Sequence, residues 1–248
     1  MVGGFRILAH RGATITGPEN TMEAVHRCRQ EGADAVELDV RLSADGEPVI
    51  FHDEDARRLA GVRGRIRDLR WKDIRELKVF GRHPVPHLDD VLGELERWPG
   101  AELFLDLHEN RLDLPSVVAA RVAKSPAASR TFLLAFYWHR ALLLRAREVF
   151  AAVRLSVMPG PPWNIGPSLR LGARSLCLGW DGKATRWVYR AASGLWDSRA
   201  VLAPARQAGI GVSAGVANTP EDIAWLAAQG FTELWTDDLA MARRVLSA

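Results

Sequence analysis

Two histidines, an arginine and three carboxylates stand where short apolar runs end. His10-Arg11-Gly12 follows Phe5–Ala9, Glu37-Leu38-Asp39 follows Ala35-Val36, and His52-Asp53 follows Pro48–Phe51. Asp106 lies at the end of Glu102–Leu107, with His108 two residues on. Apolar runs of this length, bounded by turn signals, read as buried strands, so these polar groups fall at or near strand ends. Glu37 and Asp39 are two apart and project from one face of their strand. Carboxylates so placed repel unless they share a cation or a proton, and hard cations such as Mg²⁺ or Ca²⁺ take oxygen ligands. Pairing with Arg11 or Arg41 is the competing reading. Asp106 could add a third oxygen, although an Asp-x-His pair with His108 reads equally well as a supporting contact. His10 and His52 are the natural acid and base, because imidazole can accept a proton from an attacking hydroxyl and return one to a leaving alkoxide. The forked, permanently charged Arg11 suits phosphate oxygens, or else bridges to a carboxylate. Metal-assisted attack on a phosphate ester is the chemistry that uses all of these groups.

The elements that must hold these residues alternate between strand and helix. Strand-like runs cover Arg6–Ala9, Ala35–Val40, Glu102–Leu107, Thr131–Phe136, Val153–Met158, Ser175–Gly179, Ile210–Ala214 and Glu233–Thr236. Helical stretches such as Thr21–Glu31, Trp138–Val149 and Pro220–Gln229 lie between them. Eight such units predict a closed parallel (β/α)8 TIM barrel. The run Pro48–His52 is a ninth. Too few residues separate it from Ala35–Leu42 for a parallel crossover, so it must return as a β-hairpin extension of strand 2. A two-residue Asp45-Gly46 turn places Asp39 opposite His52, with Cβ atoms about 5 Å apart; a longer turn shifts that register. The Arg-rich segment of residues 53–87, with one helical stretch at Trp71–Leu77, reads as a small insertion over the barrel mouth. Residues 1–248 are thus expected to form a single domain. Pro18-Glu19-Asn20-Thr21 reads as a helix start capped by Asn20 or Thr21, and Gly12 as relief of crowding at a turn.

Composition excludes several classes. The apolar share is 48% and the charged share 25%, ordinary for a soluble globular chain. No apolar run approaches a membrane span, and Met1-Val2-Gly3-Gly4 leads straight into a strand, so neither an integral membrane segment nor a signal peptide is expected. Cys28 and Cys177 lack metal or redox spacing and point to a reducing, cytoplasmic setting. The net charge of +3 is mild, with basic and acidic residues interleaved. That is a solvated surface favouring small anionic substrates rather than nucleic acid. Nothing in the sequence specifies an oligomeric state.

These motifs carry a family resemblance. His10-Arg11-Gly12, Pro18-Glu19-Asn20-Thr21, Glu37-Leu38-Asp39-Val40, Asp45-Gly46 and Val49-Ile50-Phe51-His52-Asp53 resemble the glycerophosphodiester phosphodiesterase family. The likeness runs on through Arg67-Asp68-Leu69, Val85-Pro86-His87-Leu88 and Asn218-Thr219-Pro220-Glu221-Asp222 to Thr236-Asp237. It implies a (β/α)8 barrel that hydrolyses a phosphodiester, a glycerophosphodiester giving an alcohol and glycerol phosphate. It further implies one divalent cation held by Glu37 and Asp39, acid–base roles for His10 and His52, and phosphate contact by Arg11. Downstream the chain departs from the pattern. Asp106-Leu107-His108 replaces Glu-x-Lys, Ala135-Phe136 replaces Ser-Phe, Gly215 stands where a Trp is usual, and Thr236-Asp237-Asp238-Leu239 replaces Thr-Asp-x-Pro. The expected set is therefore Glu37, Asp39 and Asp106 on the metal, His10 and His52 in catalysis, and Arg11 and His108 on the substrate. Lys183 or an Arg of the 57–70 stretch is the alternative counter-ion for the phosphate. The altered rim also motivates a second reading, a phosphate- or metal-binding barrel with little or no turnover. A glycoside hydrolase would need an acid late on strands 4 and 7, and neither Ala135-Phe136 nor Val212–Gly215 supplies one.

Overall fold

The computed structural model describes residues 5–180, 182–195 and 197–247, the side chains of Thr16 and Lys183 excepted. The leader-free reading of Met1–Gly4 and any role for the Lys183 side chain lie outside the described residues. In chain order the strands are β1 (Arg6–Ala9), β2 (Ala35–Leu42), β3 (Pro48–Ile50), β4 (Lys78–Val79), β5 (His83–Pro84) and β6 (Glu102–Leu107). They continue with β7 (Thr131–Phe136), β8 (Arg154–Met158), β9 (Ser175–Gly179), β10 (Gly211–Gly215) and β11 (Glu233–Thr236). Eight of them form a closed parallel barrel in the order β1-β11-β10-β9-β8-β7-β6-β2, with β2 also paired to β1. The expected barrel is the observed one, each of its strands starting within one residue of its expected position.

Strand periodicity sorts the barrel into an outside and an inside. Ile7, Val36, Leu38, Leu103, Leu105, Leu133 and Leu155 belong to the large core shared with helices such as Met22–Gln30, Leu88–Glu96 and Asp113–Lys124. Leu8, Ala35, Phe104, Phe132 and Trp235 form a separate layer inside the barrel. Phe104 and Phe132 stack with ring centroids 4.4 Å apart, and Trp235 meets Phe104 edge-on at 5.0 Å. This aromatic layer divides the barrel interior into two polar ends. Ala135 belongs to the outer core, so its loss of the usual serine changes helix packing rather than the barrel mouth.

The hairpin forms, but one residue out of the expected register. Val40 pairs with Ile50, Arg41 with Val49 and Leu42 with Pro48, and the Phe51 amide donates to the Asp39 carbonyl at 3.0 Å. Asp39 therefore lies opposite Phe51 rather than His52. The turn has three residues, not two, because Ser43 closes it: its amide donates to the Glu47 carbonyl at 3.0 Å and its hydroxyl to Asp45 Oδ1 at 2.7 Å. Gly46 takes the left-handed position (φ +82°) that three-residue hairpin loops require. His52 still reaches the mouth, because the chain leaves the ladder after Ile50. Arg41 Nε and Nη2 then grip the His52 carbonyl at 2.8 and 2.7 Å.

Within residues 53–87, Ala56, Leu59, Ile66, Ile74, Val79 and Val85 gather on Val49 and Phe51 as a second apolar cluster. The helix at Trp71 ends at Ile74, shorter than expected. Two contacts tie this segment to the loop after β1: Arg58 with Glu19 at 2.6 Å and His83 with Glu23 at 2.8 Å.

Candidate active site

Adjacent strands bring the three carboxylates together. Asp39 on β2 is in register with Asp106 on β6, and Glu37 sits one inward position earlier. Carboxylate oxygens of Glu37, Asp39 and Asp106 lie within 4.8 Å of one another, with Glu37 5% and Asp39 2% exposed. Burial, then the charges of Asp39 and Asp106, push Glu37 well above the usual carboxylate range. Burial likewise raises Asp106. Burial also acts upward on Asp39, but the charges of Arg11, His108 and His52 and a hydrogen bond from Asn20 outweigh it and hold this group low. One ionised carboxylate beside two that resist ionisation is the signature of a cluster short of positive charge. An all-oxygen trio of this kind fits a hard divalent cation.

Each expected catalytic histidine has an aspartate on Nδ1. His10, in the tight turn after β1, pairs with Asp237 Oδ1 at 3.0 Å, and His52 pairs with Asp53 Oδ1 at 2.7 Å. Asp237 is itself held, accepting from Asn218 Nδ2 at 2.6 Å while its amide donates to Asn218 Oδ1 at 2.8 Å. Burial pushes Asp237 up, yet the bonds and charge from His10 and Asn218 leave it below the usual range. Burial also lowers His52 below the ordinary histidine value, against the pull of Asp39 and Asp53.

Arg11 and His108 do not stand free. Arg11 has a left-handed backbone (φ +47°), which turns its amide onto Glu37 Oε2 at 3.0 Å. Its guanidinium lies 3.4 Å from Asp39 and 3.7 Å from Glu19. Gly12 must follow it, since a Cβ there would come within 2.5 Å of Ala24 Cβ. His108 Nδ1 is 3.3 Å from both Asp39 Oδ1 and Asp106 Oδ2, and its ring centroid is 4.4 Å from that of His52. The structure thus gathers His52, Arg11, His108 and the three carboxylates, with His10 entering from β1.

Sequence reasoning passed over the residues that hold these groups in place. Asn20, read as a cap or a structural residue, clamps Asp39 from both sides: Nδ2 donates to Asp39 Oδ2 at 2.7 Å and Oδ1 accepts the Asp39 amide at 3.0 Å. Thr21 is the helix cap, accepting from the Ala24 amide at 3.2 Å. Asp53, Asp237 and Asn218 were visible only as members of the resemblance motifs. Arg58 bonds both Asp53 and Glu19, so this arginine of the 57–70 stretch is already committed to carboxylates. At Gly215 the backbone explains the missing tryptophan. A Cβ there would sit 2.5 Å from the Trp235 carbonyl oxygen, so no side chain fits. Leu239, in place of proline, opens the last helix with Asp238 Oδ1 accepting the Met241 amide at 2.9 Å. A cavity of about 420 Å³ lies away from all this, at the N-terminal ends of the strands.

Comparison with known proteins agrees with this geometry. Residues 10–127 match the Glycerophosphoryl diester phosphodiesterase family. Glycerophosphodiester phosphodiesterase 1 of Bos taurus is 41% identical over 76 residues, 31% of this chain and 23% of that protein. The chain spans under two fifths of the length of curated relatives matched at this level. Among solved structures, a glycerophosphodiester phosphodiesterase from Agrobacterium tumefaciens has a TM-score of 0.76 at 23% identity, covering 98% of this chain and 100% of that one. A phosphodiesterase of Oleispira antarctica, in complex with the product sn-glycerol-3-phosphate, has a TM-score of 0.81 at 20% identity, covering 98% and 97%. At such identities these two structures show the shared fold.

Proposed function

From a chain that matches the glycerophosphoryl diester phosphodiesterase family over residues 10–127 and folds as its (β/α)8 barrel, we propose a metal-dependent phosphodiester hydrolase. Its substrate is a small glycerophosphodiester, cleaved to an alcohol and glycerol phosphate. One observation carries this reading: Glu37, Asp39 and Asp106 converge at the strand ends, flanked by two histidines that each have an aspartate on Nδ1. The matched relatives and the product complex of the Oleispira antarctica phosphodiesterase support the substrate class.

The three carboxylates would hold one divalent cation, Mg²⁺ or Ca²⁺, which when bound supplies Lewis-acid polarisation of a phosphate oxygen. The remaining work falls to protein groups. An aspartate on Nδ1 fixes the tautomer and leaves Nε2 to move a proton, which suits His10 and His52 as acid and base. One takes the proton of the attacking hydroxyl while the other protonates the departing alkoxide. Arg11 fixes a phosphate oxygen near Asp39. His108 contacts the substrate through its second ring nitrogen, since Nδ1 is engaged by carboxylates. Residues 1–248 act as one domain in which the 53–87 insertion borders the mouth. No described helix is long and apolar enough to cross a membrane. The two free cysteines support a cytoplasmic setting.

The test is hydrolysis of bis(p-nitrophenyl) phosphate and of a glycerophosphodiester by chelator-treated protein, before and after restoring Mg²⁺ or Ca²⁺. Turnover should appear only with metal and should release glycerol phosphate from the natural diester. Saturable phosphate binding without turnover, across both diesters and both metals, would instead mark a binding barrel, with His108 standing in for the missing lysine.

A further inference from the structure

At the N-terminal ends of the strands, inward positions form a charged ring. Arg6 of β1 is in register with Glu233 of β11, Ser175 of β9 with Gly211 of β10, and Phe132 of β7 with Arg154 of β8, while Glu102 opens β6. Gly211 and Ser175 are the small members of this ring, and the cavity of about 420 Å³ forms against them. A Cβ at Gly211 would already come within 3.0 Å of Glu233 Oε1, so the glycine keeps this space open.

The charges of the cavity do not cancel. Arg6 binds both acids, with Nη2 2.6 Å from Glu102 and Nη1 2.9 Å from Glu233. Arg154 gives Glu102 a second partner at 3.0 Å, its guanidinium carbon 3.9 Å from the Phe132 ring centroid. Two arginines therefore account for both carboxylates. Arg174 and Arg206 line the same cavity, and among the described residues neither meets an acid. Arg206 donates only to the Gly230 carbonyl, and the Arg174 side chain has no bonded partner. The buried hydroxyls of Ser175 and Ser156, neighbours in register on β9 and β8, are also unpartnered. Two uncompensated guanidiniums around a half-enclosed space repel one another unless an anion shares it.

We propose that this cavity is a second binding site, for a small phosphate monoester dianion. Two free guanidiniums match a dianion in charge, and their forked donors match phosphate oxygens in shape. The volume falls within the range of small-molecule sites, roughly 300–1,000 Å³, and exceeds what inorganic phosphate alone would fill. The layer of Phe104, Phe132 and Trp235 closes the cavity off from the carboxylate trio. The site is therefore separate from the mouth and does not depend on the hydrolase reading. Its ligand stabilises the fold by mass action, since the ring exists only when the barrel is closed.

Inorganic phosphate titrated into chelator-treated protein, against chloride at matched ionic strength, tests the assignment through the thermal midpoint and the heat of binding. Wild type should show a saturable rise in midpoint. Arg174→Ala and Arg206→Ala, both changes at exposed side chains, should each weaken the response about tenfold, the loss of one charge-assisted contact. Their metal-dependent turnover should equal that of wild type. An unchanged phosphate response in both variants overturns the site, as does the absence of any saturable response in wild type. Loss of turnover in either variant overturns its separation from the mouth. An equal response to succinate overturns the preference for phosphate.

Discussion

The two ends of the barrel interior solve the same problem differently. Both place carboxylates at inward strand positions. At the N-terminal end Glu102 and Glu233 meet Arg6, and Arg154 backs Glu102, so each negative charge has a guanidinium within 3.0 Å. At the C-terminal end Glu37, Asp39 and Asp106 face one another, and Arg11 approaches only to 3.4 Å. Burial raises Glu233, but Arg6 offsets part of it. At the mouth burial and like charge act together on Glu37, and it rises much further. A buried carboxylate facing a guanidinium holds a barrel together, whereas one facing other carboxylates calls for a cation and marks a site of chemistry.

The sharpest way to break this comparison is to neutralise one carboxylate at each end. Glu37→Gln should abolish hydrolysis of bis(p-nitrophenyl) phosphate at limiting metal. It should also raise the thermal midpoint of the metal-free protein, because it relieves repulsion. Glu102→Gln should do the reverse, keeping turnover while lowering stability by about 1–3 kcal/mol, a range that allows for partial exposure of Arg6 and Arg154. Equal stability changes at the two ends, read by urea unfolding, would erase the distinction.

Next in size are the histidines. His10→Ala and His52→Ala should each cost on the order of 10²–10⁴ in turnover. A p-nitrophenolate leaving group, which needs no proton, should partly rescue whichever is the acid, and steady-state rates on the two classes of diester show which. Asp237→Asn and Asp53→Asn act one step further out, so losses of about 10–100-fold are expected, with a displaced pH–rate profile. Wild-type profiles in both would mean that the aspartates do not orient the histidines.

The smallest effect is on acid stability. Asp53 feels burial pushing it up, but bonds from Arg58 and His52 outweigh that and hold it at about 2. Its ordinary value is about 3.9. A depressed carboxylate contributes stability present above the higher value and lost as the pH falls through the lower one. Arg58→Ala should therefore flatten the pH dependence of unfolding between about pH 4 and pH 2. An unchanged slope would mean that Arg58 does not set the titration of Asp53.

Strand period and strand ends were legible in the sequence, and with them the trio of Glu37, Asp39 and Asp106. Each lies on a local run whose inward phase can be counted. The hairpin register was not, because it turned on whether the Ser43 side chain would close a three-residue loop. Ala135 was assigned to the rim although strand phase turns it outward to the helices. The positioning residues were hidden for another reason. Asn20 and Asp39 are 19 apart, and His10 and Asp237 are 227 apart, so only the closed barrel brings them together. Likewise, nothing local marks Arg6, Glu102 and Glu233 as one buried network.

Calorimetric titration of Mg²⁺ or Ca²⁺ tests most directly whether the mouth carboxylates form a cation site. Wild type and Glu102→Gln should each bind one divalent cation, and Glu37→Gln, Asp39→Asn and Asp106→Asn should lose that binding while circular dichroism stays unchanged. Undiminished binding in all three mouth variants, or its loss in Glu102→Gln, would contradict the division between a paired floor and an unpaired mouth.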